Sequence, residues 1–369
     1  TITDLTAAGR LDWLAGAGHQ VSLGASASRY DVTYDQSFNR EPQIAYRRRP
    51  TELVAFLADR WQASEATVLR AGLRLRHLED GDRLLLEPRL AASHRLDDRW
   101  RLTLGLGRAH QYLQLVTTEG FTATDFTLPI DATADVGRSW QVTAGVQWQP
   151  TARDQLSLEV YDIGLDDLVV LDQRTAADRT AFTADGIFVT GGEGWARGLE
   201  LLWRRDLGPV TGWLGYTLGW TRRRFDELNG GAEFPPKNDR RHDLDAVTTW
   251  RTGAWTLGAR FRYGTGQAFT PASARYLLRD PGSGSPDAIG QLLPAARNSA
   301  RLQPYHRLDL SARRPISLLG RPAELVLEVF NVYSRRNEWF VQYEADGPAT
   351  EATVVRMLPI IPSVGVTLE

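Results

Sequence analysis

The chain has 369 residues, 42% hydrophobic and 24% charged, with a mean hydropathy of −0.33. That balance excludes a disordered chain, and no run of 18 or more apolar residues occurs, which excludes a bundle of membrane-spanning helices. The net charge is −2, from 43 basic and 45 acidic residues that are interspersed, so no nucleic-acid surface is indicated; with no cysteine there are no disulfides, thiol nucleophiles or cysteine metal sites.

From the first residues onward, apolar and polar positions alternate with the period of two that marks a strand with one apolar face. Fifteen such segments begin near residues 3, 20, 51, 66, 83, 100, 140, 155, 196, 210, 242, 255, 305, 323 and 363. Leu69, Ala71, Leu73 and Leu75 alternate with Arg70, Gly72, Arg74 and Arg76. Trp140, Val142, Ala144, Val146 and Trp148 alternate with Gln141, Thr143, Gly145 and Gln147. Leu257, Ala259, Phe261 and Tyr263 alternate with Gly258, Arg260, Arg262 and Gly264. One face suits hydrocarbon and the other water, and such averaging yields a soluble-looking hydropathy for a transmembrane barrel.

The connections also alternate. Short ones fall at 15–19, 63–65, 97–99, 150–154, 206–209 and 252–254; long ones fall at 37–50, 113–139, 167–195, 224–241, 266–304 and 331–362. Only 79–82 is short where a long one is due. Short turns on one rim and long loops on the other are the pattern of an antiparallel outer-membrane barrel. Trp13, Trp61, Trp100, Trp140, Trp148, Trp203, Trp250 and Trp255 fall near the short turns and predict an aromatic girdle at that rim. The fold expected is all-β, a transmembrane antiparallel up-and-down β-barrel.

Several segments resemble the late barrel strands of TonB-dependent receptors. Asp239-Arg240-Arg241-His242 resembles the family's "D-R-x-H" strand start, and Gly194 to Glu200 its "G-x-x-x-G-x-E". Glu87-Pro88-Arg89 resembles "x-P-R", Tyr305 to Asp309 "x-x-R-x-D", and Val329 to Tyr333 the penultimate-strand asparagine motif. Pro359 to Gly365 resembles the closing "P-x-x-P-x-x-G". The resemblance implies that residues 1–369 are about fifteen C-terminal strands of a 22-stranded barrel, with the plug domain and first strands outside this chain. It implies outer-membrane lipid of a Gram-negative bacterium as the surroundings, and the missing strands, the plug and, through the plug, the TonB complex as partners; a surface lipoprotein is a further expected partner. It assigns structural roles to Asp239, Arg241, His242, Arg307, Asp309 and Asn331. The terminus Val366-Thr367-Leu368-Glu369 lacks the aromatic end usual for such barrels and reads as trimmed.

Two further residue groups are candidate sites. Inward positions Arg70, Arg74, Arg76, Arg260 and Arg262 would line the lumen, either attracting anionic cargo or pairing with inward carboxylates such as Glu159, Glu200, Asp243, Asp245, Glu324 and Glu328. Aromatics in or beside the long loops, Tyr112, Phe121, Phe126, Phe182, Phe188 and Trp339, could contact a ligand. The six histidines have no metal-ligand spacing, and no nucleophile elbow or phosphate loop occurs, so neither a cofactor nor catalysis is indicated. The function implied by the resemblance is import of a scarce large solute: siderophore, haem, vitamin, oligosaccharide or peptide. A structural or secretion-associated barrel and a passive porin stand as alternatives.

Overall fold

Strands with one face for hydrocarbon must pair on both sides, because lipid offers no partner for backbone N–H and C=O groups. The computed structural model describes residues 1–38, 41–116, 126–129, 135–171, 188–278, 289–344 and 351–368. Fifteen strands follow one another as neighbours in a continuous antiparallel meander. They are β1 (Ile2–Gly16), β2 (His19–Phe38), β3 (Thr51–Gln62), β4 (Thr67–Leu78) and β5 (Arg83–Arg95). Next come β6 (Trp100–Gln111), β7 (Gly137–Trp148), β8 (Asp154–Leu171), β9 (Phe188–Arg205) and β10 (Val210–Arg224). The last are β11 (His242–Thr252), β12 (Trp255–Gly264), β13 (Tyr305–Leu318), β14 (Arg321–Phe330) and β15 (Ile361–Leu368). A sixteenth strand, Glu41–Arg48, pairs with the far end of β2.

The sheet is open. Among the described residues β1 pairs only with β2 and β15 only with β14, and both strands are exposed along their described length. No helix of the described residues is long and apolar enough to cross a membrane.

The two faces differ as the alternation requires. Leu57, Leu73, Leu86, Leu90, Leu104, Val142 and Val160 are large apolar side chains left in the open on one face. An apolar surface of this extent marks contact with lipid or a partner. The ring positions bound it. Trp100 and Trp148 stack at 5.4 Å beside the short turns, and His19 stacks on Trp61 at 5.2 Å on the same rim. Trp140 departs from expectation: it faces Arg108 near the end of β6, so it sits toward the long-connection rim, eight residues from Trp148. Eight residues of strand span about 26 Å, or about 20 Å after the usual tilt, close to the height of an apolar band between two girdles.

Some long connections are themselves paired. Leu113–Val116 pairs with Phe126–Pro129, Ala272–Leu278 with Ile289–Pro294, and Glu338–Glu344 with Glu351–Arg356. β8 and β9 run on to Leu171 and back from Phe188, well past the expected limits of 167 and 195. Backbone groups above the membrane still need partners, and two-stranded ribbons supply them without a strict apolar alternation.

The buried residues gather at the long-connection rim. Leu78, Tyr112, Val136 and Val169 form one cluster, and Val189, Phe225, Leu228 and Phe234 another. Two glycines of β9, Gly198 inside the Gly194 to Glu200 motif and Gly192 just before it, have a steric purpose here. A Cβ on Gly198 would lie 2.5 Å from the Tyr161 hydroxyl, and one on Gly192 would lie 2.2 Å from the Phe225 ring. Both rings lie across β9 only because those positions carry no side chain.

Candidate functional site

The polar face carries the wall's buried polar chemistry, most of it just below the long connections. Glu87 on β5 is 1% exposed and accepts the His110 backbone N–H at 3.0 Å. Arg74 and Arg76 approach it from β4 at 3.8 and 3.9 Å, and Arg76 also meets Glu52 on β3 at 2.7 Å. The Tyr30 hydroxyl donates to Glu52 at 3.3 Å, so one network ties β2 through β6. A buried carboxylate holds its charge only with such partners.

The motif residues form comparable ties. Asp239 is 3% exposed, accepts the Thr221 N–H at 2.9 Å and forms an ion pair with Arg301. Arg301 also donates to the Asp239 and Gly266 carbonyls, which binds the connection 265–304 to the connection 225–241. Asn298 adds a second latch, donating to the Pro235 carbonyl at 2.9 Å. The Arg241 guanidinium lies 4.6 Å over the Trp220 ring, and His242 Nδ1 meets the Tyr216 hydroxyl at 2.8 Å. Asp309 binds Arg307 and accepts the Asn331 N–H, and Arg307 lies 4.0 Å over the Phe330 ring. The fully buried Asn331 donates to the Arg335 and Leu358 carbonyls, closing the foot of the last long connection.

A cavity of about 850 Å3 opens among these ties, lined in part by His110, Arg138, Gln141, Arg223, Lys237 and Gln267. Arg138 is paired with Asp166 at 3.1 Å. Arg223 is not paired: among the described residues no carboxylate stands at ion-pairing distance, its Nε is buried with no hydrogen-bond partner, and Arg297 is near enough to repel it. Lys237, the chain's one lysine, borders the same space.

The expected site residues separate on this geometry. Arg74, Arg76, Arg260 and Arg262 share the polar face, and each stands against a carboxylate: Glu87 and Glu52 for the first two, Asp245 at 2.6 and 3.2 Å for the others. Arg70 has no such partner among the described residues and faces Arg60. Tyr112 is 6% exposed and packs with Leu78, Val136 and Val169 in the first apolar cluster. Trp339 is 56% exposed, its ring edge-on to Phe340 at 5.3 Å. Phe126 begins the strand Phe126–Pro129 and Phe188 begins β9, with side chains outside the described residues; Phe121 and Phe182 lie outside them altogether. Arg223, Asn298 and Arg301 were not expected, and Glu87 was noted only within its Glu-Pro-Arg motif. Only the inward strand parity of Glu52, Glu87 and Arg223 hinted at their roles.

A fifteen-strand meander with an apolar outer face, paired aromatic rims and a polar inner face is the wall of an outer-membrane β-barrel. The sequence matches the family "TonB dependent receptor-like, beta-barrel" over residues 1–332, and the chain belongs to that family. No curated protein matches the sequence. The fold is similar to the ferric yersiniabactin uptake receptor FyuA of Yersinia pestis, at 15% identity and a TM-score of 0.65, covering 100% of this chain and 54% of that one. It is also similar to the ferric enterobactin receptor PfeA of Pseudomonas aeruginosa, at 17% identity and a TM-score of 0.63 with the same coverage. The siderophore receptor PirA of Pseudomonas aeruginosa shares 15% identity at a TM-score of 0.60, over 91% of this chain and 54% of that one. The chain thus spans about half the length of these structures.

Proposed function

We propose that the chain forms part of the wall of an outer-membrane transporter importing an anionic, ferric-siderophore-like solute, with the loop-rim cavity contributing to its seat. In this reading the apolar face meets outer-membrane lipid and the polar face surrounds a plug that couples the barrel to the TonB complex. The role is transport and not catalysis.

One observation carries the charge preference. A guanidinium stays protonated at any physiological pH, and Arg223 is half-buried at the wall of the cavity, its Nε fully covered, with no carboxylate of the described residues against it. A ligand oxygen would supply the missing acceptor through a charge-assisted hydrogen bond. The volume of about 850 Å3 lies within the range of small-molecule sites. Family membership and the siderophore receptors among the similar structures support the transport class.

Uptake of radiolabelled ferric siderophores by cells producing the protein, with and without TonB, tests the reading. Uptake that requires TonB is expected, with Arg223→Gln and Lys237→Gln each weakening binding about tenfold. Open-channel conductance in planar bilayers without any TonB requirement would establish a passive porin instead.

A further inference from the structure

The short-turn end of the polar face carries charge that the loop-rim cavity does not use. Arg60 near the end of β3, Arg70 early in β4, Arg95 at the end of β5 and Arg101 early in β6 line a second cavity of about 560 Å3. Register places Arg60 directly opposite Arg70 and Arg95 directly opposite Arg101. Like charges in directly opposed positions destabilise a sheet. Arg76, Arg260 and Arg262 on the same face have carboxylates to offset them. Among the described residues these four have none at ion-pairing distance: Arg60 donates to the Gln62 side chain at 3.3 Å and Arg95 to the Glu65 carbonyl at 3.4 Å. Glu65 and Glu159 border the cavity without pairing with any of the four guanidinium groups.

We propose that this arginine patch is a docking surface for an acidic polypeptide segment lying against the polar face. The inference deepens the plugged-transporter reading and rests on it for one point, that protein fills this side of the wall. The sign follows from charge: four guanidinium groups against two bordering carboxylates leave the patch positive. The class of occupant follows from spacing. Arg70 faces Ala91, and Arg95 stands four residues further along β5. Four residues of strand cover about 13 Å. One phosphate group cannot bridge that distance, whereas carboxylates three or four residues apart on an extended chain can. Lipid phosphates are excluded because the patch lies on the face opposite the apolar surface.

Binding of a fluorescent hexaglutamate peptide to the 369-residue chain in detergent tests the proposal, with hexalysine as control and pyrophosphate as competitor. Saturable hexaglutamate binding is expected. It weakens at least about tenfold in Arg70→Gln/Arg101→Gln, and likewise when salt rises from about 0.05 to about 0.5 M. A second readout uses stability. Relieving the opposed like charges should make the double variant more resistant to urea than the parent without peptide, and saturating hexaglutamate should erase that advantage. No saturable binding, equal affinity in the double variant, equal binding of hexalysine, or complete displacement by equimolar pyrophosphate would overturn the proposal. TonB-dependent uptake is scored separately, so failure of the patch and failure of the transport reading give different results.

Discussion

Replacing Asn331 with alanine should cost about 4 kcal/mol of stability. The side chain makes three hydrogen bonds: Nδ2 donates to the Arg335 carbonyl at 2.8 Å and the Leu358 carbonyl at 3.0 Å, and Oδ1 accepts the Arg335 N–H at 3.0 Å. The residue is 0% exposed, so water does not replace them, and each contributes about 1 kcal/mol. Its φ of 54° is left-handed, a conformation asparagine tolerates and alanine adopts at a further cost of about 1 kcal/mol. Asn331→Gly keeps the backbone freedom and loses only the bonds, so it should cost about 3 kcal/mol. Equilibrium urea unfolding in detergent, followed by tryptophan fluorescence, measures both, and hydrogen exchange at the Arg335 amide, which donates to Asn331 Oδ1, reports whether the foot of the connection opens first. An alanine variant within about 1 kcal/mol of the parent, or a glycine variant less stable than the alanine one, would refute the tie as described.

Glu87→Ala strands the His110 N–H, takes from Arg74 its carboxylate and leaves Arg76 to Glu52 alone, and should cost about 3 kcal/mol in the same assay, against roughly half that for Glu87→Gln, which keeps an acceptor. Burial pushes the Tyr112 phenol above its ordinary 10.0, so the fold favours the neutral form: the stabilisation is complete below that pH and falls as pH rises beyond it. Unfolding midpoints taken across the alkaline range should show a larger loss in the parent than in Tyr112→Phe. On the outer face, Leu73→Arg, midway along β4, should cost about 2–4 kcal/mol in lipid vesicles. Leu84→Arg, one residue inside the long-connection rim, should cost less than about 1 kcal/mol, and equal costs would contradict the placement of the apolar band.

The meander was legible in the amino-acid sequence because lipid on one side and water on the other write the same alternation into every strand. Thr51, Arg83, Trp100, Val210, His242, Trp255 and Tyr305 begin strands where the alternation begins. Strand limits at 137 and 188 were missed because pairing there continues above the apolar band, where no hydrocarbon enforces the pattern. Trp140 was assigned to the wrong rim for a related reason: ring type alone does not say which end of a strand it marks, and only the register with Arg108 does. The ties were the hardest to foresee. Asp239 and Arg301 stand 62 residues apart and meet only because β11, β12 and β13 bring two connections together. Arg223 looks like any arginine in the run Arg222 to Arg224 until the fold removes its counterion.

The buried ties at Glu87, Asp239 and Asn331 stand at the feet of the long connections and not in their upper parts. Insertions or deletions above those feet therefore leave strand registers and buried charges untouched. A lineage can exchange its outer crown, and with it the molecules it recognises, while the wall beneath is inherited unaltered.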